Sequence, residues 1–143
     1  MKKSATHRLS DRVLWALGRA NMQSQRLVRQ HMTQAGIRTQ HYHVLASLAD
    51  DGAGAQATLA DRIGFDRSDL VTLLDELEEL KLLARQVDPA DRRRKIVTIT
   101  PAGVKQLDSM DQLIYAAEAE LLEPLTASER KTLLTLLSRL AGD

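Results

Sequence analysis

The sequence predicts a mainly α protein with one small β-hairpin, and three observations predict it. Leucines and other apolar residues recur at three- and four-residue steps through most of the 143 residues, the mark of helices that each bury one stripe. Aromatic residues make up only 3% of the chain, so leucine must fill most of the core. Residues 84–87 and 96–100 read instead as β-like runs, with Val97 and Ile99 alternating with Thr98 and Thr100 on the far side of a charged tip, as half-buried strands of a hairpin should.

Taken in order, residues 9–34 predict one long helix. Leu9, Val13, Ala16, Leu17, Ala20, Leu27 and Val28 keep helical spacing, Thr6 or Ser10 supplies the cap, and Gly36 the stop. Thr39 is expected to cap the next helix, 40–49, with Tyr42, Leu45 and Leu48 facing inward. Residues 50–55, Asp-Asp-Gly-Ala-Gly-Ala, read as a turn-forming linker. A short apolar-periodic segment follows at 58–64. A longer one runs from 66 to about 82, with Leu70, Leu73, Leu74, Leu77 and Leu80 as its stripe and Asp66 as its cap. The charged tip 88–95 then joins the two β-like runs.

Thr100 and Pro101 form an N-cap and first-position pair for a helix reaching about 122. Leu107, Met110, Ile114, Ala117 and Leu121 are its stripe, and Pro124 ends it. Thr126 and Glu129 make a capping box for a last helix, 127–141. That helix carries Leu133, Leu134, Leu136, Leu137 and Leu140, an arc too wide for one intrachain partner. A second copy of the chain is the natural cover, so a homodimer is expected.

Helix, turn, helix and a hairpin with a basic tip is the layout of a winged helix-turn-helix, a motif that places its second helix in the DNA major groove. The second helix turns Ser68, Val71, Thr72, Asp75 and Glu79 away from its leucine stripe. The residues free to meet base edges are therefore Arg67, Ser68, Val71 and Thr72. The wing carries four consecutive cations, Arg92, Arg93, Arg94 and Lys95, which would supply the salt-dependent phosphate contacts. An amphipathic core helix and a solvated charge run are the plainer readings of each part taken alone. Their adjacency favours DNA.

The Leu59-Ala60-x-x-x-Gly64 helix, the Leu77-Glu78 to Leu82-Leu83 helix end, the Asp91-Arg92-Arg93 wing and the closing Ile99-Thr100-Pro101-Ala102-Gly103 resemble the MarR family of bacterial transcription regulators. The resemblance covers the whole chain, with its specific motifs between Leu59 and Gly103. It implies a dimeric regulator of transcription, and a two-fold protein in turn implies a pseudo-palindromic operator in double-stranded DNA. It also implies a pocket between the dimerisation helices and the DNA-binding lobe that often takes aromatic acids. On this view residues 1–36 and 104–143 form the helical dimerisation region and 37–103 the winged helix-turn-helix. One departure stands out: where the family often has a Thr-Arg pair in the reading helix, this chain has Val71 and Thr72.

The composition narrows the function further. Net charge is only +1, so basicity is local: residues 1–38 hold eight Lys/Arg and one acid, while 66–80 hold six acids and one Arg. The acids at 75–79 read as a solvated helix face. There is no cysteine, which excludes disulfides, Cys-zinc sites and thiol-based oxidant sensing. No apolar run approaches the ~20 residues of a membrane span, and the basic start lacks the apolar segment of a signal peptide, so a cytoplasmic location is expected. No catalytic motif stands out, so no enzyme and no cofactor are expected. His7, His31, His41 and His43 do not suggest a metal: His41 and His43 point about 200° apart on a helix, and His41 reads as solvated at a helix start. For a small aromatic acid effector the candidates are Arg12, Trp15, Arg19 and Tyr42, an indole and guanidinium groups able to stack on and pair with an aromatic carboxylate. A core role for Trp15 and Tyr42 is the plainer alternative. A winged-helix protein-interaction module without DNA binding is the alternative function, since the reading helix is poor in cations.

Overall fold

The structure, a computed structural model, describes residues 7–143; Thr6, one candidate cap, lies outside them. Seven helices and three short strands are formed among the described residues. They divide into two compact units, one comprising the chain up to His31 together with Ile114–Asp143, the other Met32–Leu113.

In the first unit, α1 (His7–Ser10) and α2 (Val13–Met32) replace the single helix expected at 9–34. The break falls at Asp11 and Arg12. Arg12 closes a turn through its N–H to the Leu9 carbonyl, and its own carbonyl accepts from Ala16 to start the next helix. Ser10 and Asp11 are residues whose side chains offer the backbone local bonds in place of helical ones, which favours such a break. A 3₁₀ turn, Thr33–Ala35, continues beyond α2 and ends at Gly36 with φ 66°, a left-handed conformation that suits glycine. The last helix, α7 (Ala127–Ala141), begins with the expected box: Thr126 Oγ1 accepts from the Glu129 N–H at 3.2 Å, and Glu129 Oε1 accepts from the Thr126 N–H at 2.9 Å. His31 of α2 pairs with Glu120 of α6 (Pro101–Leu122) at 2.8 Å.

The second unit starts with α3 (Thr39–Asp51). Its cap position is held by Arg38 and not by Thr39, because the Arg38 N–H donates to His41 Nδ1 at 3.2 Å. The expected linker at 50–55 is in part a strand. β1 (Gly54–Ala55) pairs antiparallel with β3 (Asp91–Ile99), Gly54 opposite Val97 and Ala55 opposite Ile96. With β2 (Leu83–Asp88) the sheet order is β1-β3-β2. Helix α4 (Gln56–Ile63) starts two residues earlier than expected and ends on Gly64 at φ 78°.

Helix α5 (Arg67–Glu79) ends before the expected 82. Lys81 adopts φ 62°, the Leu82 N–H reaches the Leu77 carbonyl, and the Lys81 N–H reaches that of Glu78. This pair of bonds is a Schellman stop built on a lysine in place of the usual glycine. It leaves Leu80 54% exposed, whereas Leu70, Leu73, Leu74 and Leu77 are buried as the stripe requires. They pack in a core with Val44, Leu45 and Leu48 of α3, Leu59 of α4, Leu83 and Val97 of the sheet, and Met110 of α6. At about 1.5–3 kcal/mol for each buried aliphatic side chain, this core dominates the unit's stability.

The stop also knits α5 to α6. The Leu82 carbonyl accepts from the Thr100 N–H, and Thr100 Oγ1 donates to the Lys81 carbonyl while accepting from the Gly103 N–H. A Cβ on Gly103 would lie 2.0 Å from the Leu82 oxygen. The Thr-Pro-x-Gly sequence is thus a close backbone contact as well as a helix start.

Candidate nucleic-acid interface

The wing differs from a hairpin with a long basic tip. The turn is short, Asp88 facing Asp91 across Pro89 and Ala90, and the four cations belong to β3. Asp88 Oδ1 accepts from the Ala90 N–H and Asp91 Oδ1 from the Arg93 N–H, the Asx bonds that close such turns. The register then jumps: Val87 pairs with Lys95, but Asp88 with Asp91. Arg92, Arg93 and Arg94 therefore have no partner across the hairpin. This bulge is what lifts three guanidinium groups clear of the ladder.

The opposing wall is the start of α5. Arg67, Ser68, Val71 and Thr72 are all exposed there, and so are Arg92, Arg93, Arg94 and Lys95 on the wing. Arg67, Val71 and Asp75 line one groove of about 530 Å³ with Arg85, Arg93, Arg94 and Lys95. Thr72 lies on the other flank of α5, in a cleft with Arg38, Gln40 and Phe65. Arg93 donates to both oxygens of Asp91, at 3.1 and 3.3 Å. These bonds hold the Asp91 carboxyl below its ordinary value and fix the direction of the guanidinium. Gln56, at the start of α4, also lines the groove, and its Oε1 is buried with no hydrogen-bond partner.

The acids at 75–79 are not simply a solvated face. Arg85 of β2 donates to Asp75 at 2.5 Å and to Glu78 at 3.0 and 3.3 Å, with its side chain only 13% exposed. Its guanidinium hydrogen bonds lower the Glu78 pKa, and Glu78 in turn raises that of Arg85. On the other side of α5, Glu76 Oε2 accepts from Arg38 at 2.5 Å and contacts His41 Nε2 at 2.6 Å. Since His41 Nδ1 accepts from Arg38 N–H, Nε2 carries the hydrogen and donates to Glu76. These two bonds, Arg38 first, hold the Glu76 carboxyl below its ordinary value. His41 is 6% exposed and not solvated as expected. The sequence carried a partial signal for these clamps: Asp75 and Glu78, three apart, share the helix edge nearest the strand that follows.

Trp15 and Arg19, four apart on α2, and Arg12, just before it, are all exposed in the first unit. Trp15 is 42% exposed and so is not a core residue of this chain. Tyr42 belongs to the second unit, half-buried, its hydroxyl donating to Asp111 Oδ1 at 2.7 Å. Among the described residues no group of three or more His, Asp or Glu is placed to hold a metal ion, and no helix is long and apolar enough to cross a membrane.

A winged helix-turn-helix with a cation-lined groove beside its second helix defines a class, and comparison with known proteins shows what it resembles. Residues 35–94 match the model of the MarR family. A protein of Thauera aromatica described as a transcriptional regulatory protein for the hcr operon is 34% identical over 108 residues, 76% of this chain. The match spans 65% of that relative, less than two thirds of its length. Among solved structures, the transcriptional repressor CouR, bound to a 23-mer DNA duplex, is 28% identical with a TM-score of 0.88, covering 96% of this chain and 97% of its own. BpsR of Bordetella bronchiseptica, studied for regulation of its DNA binding by 6-hydroxynicotinic acid, is 26% identical with a TM-score of 0.83, covering 94% and 96%. Residues 35–94 thus match the MarR family, and the fold as a whole is similar to that of solved regulators such as CouR and BpsR.

Proposed function

We propose that the protein is a homodimeric repressor that binds a pseudo-palindromic operator in double-stranded DNA and is released by a small aromatic acid. The observation that carries this reading is the groove in which Arg67 and Val71 of α5 face Arg93, Arg94 and Lys95 of the wing. The start of α5 enters the major groove, led by the positive end of its dipole, and the wing cations sit on backbone or narrow minor groove. Asp75 and Glu79 one turn later would meet phosphate unfavourably, so only the first two turns of α5 approach the bases. The likeness to CouR, solved on a DNA duplex, supports this assignment.

Dimerisation is proposed through the first unit, which leaves Val13, Leu14 and Leu17 of α2 and Leu134, Leu136, Leu137 and Leu140 of α7 exposed. Apolar surface on that scale calls for a partner. Two-fold symmetry then sets half-sites about one DNA turn, ~10 bp, apart. For the effector, the exposed Arg12, Trp15 and Arg19 at the start of α2 offer an indole and two guanidinium groups to an aromatic carboxylate. The aromatic acid in the BpsR work is of that chemical class. A ligand that favours the arrangement unable to span adjacent grooves, by about 1–3 kcal/mol, would lower DNA affinity ~5- to 150-fold.

The test is a fluorescence-anisotropy titration of the protein with duplex DNA flanking its own gene, at several salt concentrations. Arg93→Ala is expected to weaken binding to all sequences by a similar factor and to lower the salt slope by about one. An unchanged slope would remove the wing from the interface, and absence of binding to any duplex would favour the protein-interaction module instead. For the effector, Trp15 emission followed during salicylate titration should respond, and respond less with DNA present. Emission indifferent to the acid would remove that part of the reading.

A further inference from the structure

The exposed ridge of α5 is unusual in what it withholds. At 3.6 residues per turn it consists of Ser68, Val71, Thr72, Asp75 and Glu79. None of these presents the paired donors that recognise guanine, or the amide that recognises adenine. The polar hydrogens on the ridge are also already engaged. Ser68 Oγ donates to Asp66 Oδ2 at 3.2 Å, and Thr72 Oγ1 donates to the Ser68 carbonyl at 3.3 Å. The Thr72 bond back to the helix leaves its methyl as the feature added to the surface. Asp75 is occupied by Arg85 at 2.5 Å. What remains toward a bound duplex is aliphatic: the Val71 isopropyl group, 39% exposed, with the Thr72 methyl beside it.

The major-groove edge of a base pair has one apolar feature, the C5 methyl of thymine. We infer that Val71, supported by the Thr72 methyl, is a specificity-determining residue that packs against thymine methyls at the centre of each operator half-site. This deepens the DNA-binding reading above and rests on it. Arg67, which lines the groove on the wing side and whose side chain makes no hydrogen bond among the described residues, meets the outer guanine or the adjacent phosphate. Sequence choice by this helix then depends on methyl contacts, and the wing cations add affinity without choosing bases.

The experiment uses the full chain and duplexes enriched from a random DNA pool. Each thymine of the enriched half-site is replaced singly by deoxyuridine, which removes the methyl and leaves pairing intact. At one or more positions per half-site the wild-type protein should bind about fourfold more weakly, the value of one buried methyl group. Val71→Ala, an exposed change to a better helix former, should bind the thymine duplex more weakly and lose the deoxyuridine sensitivity at that same position. Wild-type binding unaffected by deoxyuridine everywhere, enriched half-sites without thymine, or equal sensitivity in Val71→Ala would each overturn the inference while leaving DNA binding intact. Failure of the protein to bind any duplex would overturn both.

Discussion

Leu74 of α5 and Leu134 of α7 both lie on amphipathic helices, yet the first is fully buried and the second is 68% exposed. The contrast extends to their surroundings. The second unit buries leucines from four helices and one strand, with Val97 from another strand, and cross-links α5 to α3 and to β2 through Glu76, Asp75 and Glu78. Among the described residues of the first unit only Leu27 and Ala117 are buried hydrophobic residues, and α7 buries none. One unit satisfies its own apolar surface and the other does not. The difference teaches that the two face different requirements: the second fixes α5 and the wing over a leucine core, while the first leaves Leu134, Leu136, Leu137 and Leu140 of α7 exposed.

The largest expected effect strikes the self-sufficient unit. Gly103→Ala places a Cβ against the Leu82 oxygen and 2.7 Å from Ile99 Cγ1. Backbone cannot yield as a flexible side chain can, so a loss of about 3 kcal/mol is expected, at the upper end for overpacked sites. Urea unfolding measures it. A loss under about 0.5 kcal/mol, the size of an ordinary surface change, would mean that the start of α6 shifts freely and that the α5–α6 knot is loose.

The second effect separates the units. Leu137→Glu in the exposed arc of α7 is expected to raise the dimer dissociation constant by ~30-fold or more, as loss of a central interface anchor of about 2 kcal/mol does. The second unit's fold should be untouched. Sedimentation across a range of protein concentrations reads the assembly, and far-ultraviolet circular dichroism reads the fold. Unchanged dimerisation would place the interface elsewhere, and monomeric wild-type protein would remove it altogether.

The same contrast explains what was legible in the sequence. The leucine stripe of α5, the Thr100-Pro101 start of α6 and the Thr126–Glu129 box of α7 are local patterns, fixed by neighbours within a turn or two. The order of two periodic helices and a β-like hairpin gave the winged layout, and the cation run marked the wing. Apart from the break at Asp11 and Arg12 and the Arg38 cap of α3, which are local, the departures are places where distant residues decide. β1 exists only because Gly54 meets Val97, a pairing that no window around 50–55 contains. His41 is buried because Glu76, thirty-five positions later, accepts its hydrogen. Lys81 takes a left-handed conformation that its residue type disfavours, because the Leu82 and Thr100 backbone groups meet there. In the candidate site the exposed residues were readable, while the clamps behind them, through Arg38, His41 and Arg85, left only a partial trace in the spacing of Asp75 and Glu78.

The smallest effect tests whether those clamps contribute to the second unit's independence. Glu76 has its pKa lowered from an ordinary value of 4.5, first by its hydrogen bond from Arg38 and then by that from His41. A carboxylate whose folded-state pKa is depressed adds stability that is fully present above the unfolded value. That stability is lost as pH falls from about 4.5 through the folded value. Glu78, lowered in the same direction by Arg85, adds a second contribution of the same sign. Glu76→Gln should therefore be less stable than wild type at pH 7 and converge toward it as the solution is acidified, since the wild-type carboxyl is then neutral as well. Guanidinium unfolding of both proteins at pH 7, 5 and 3.5 draws the two curves. A constant gap across the three would show that Glu76 acts by packing and hydrogen bonding alone. No gap at all would mean that α5 is held by its leucine stripe without help from the clamp on α3.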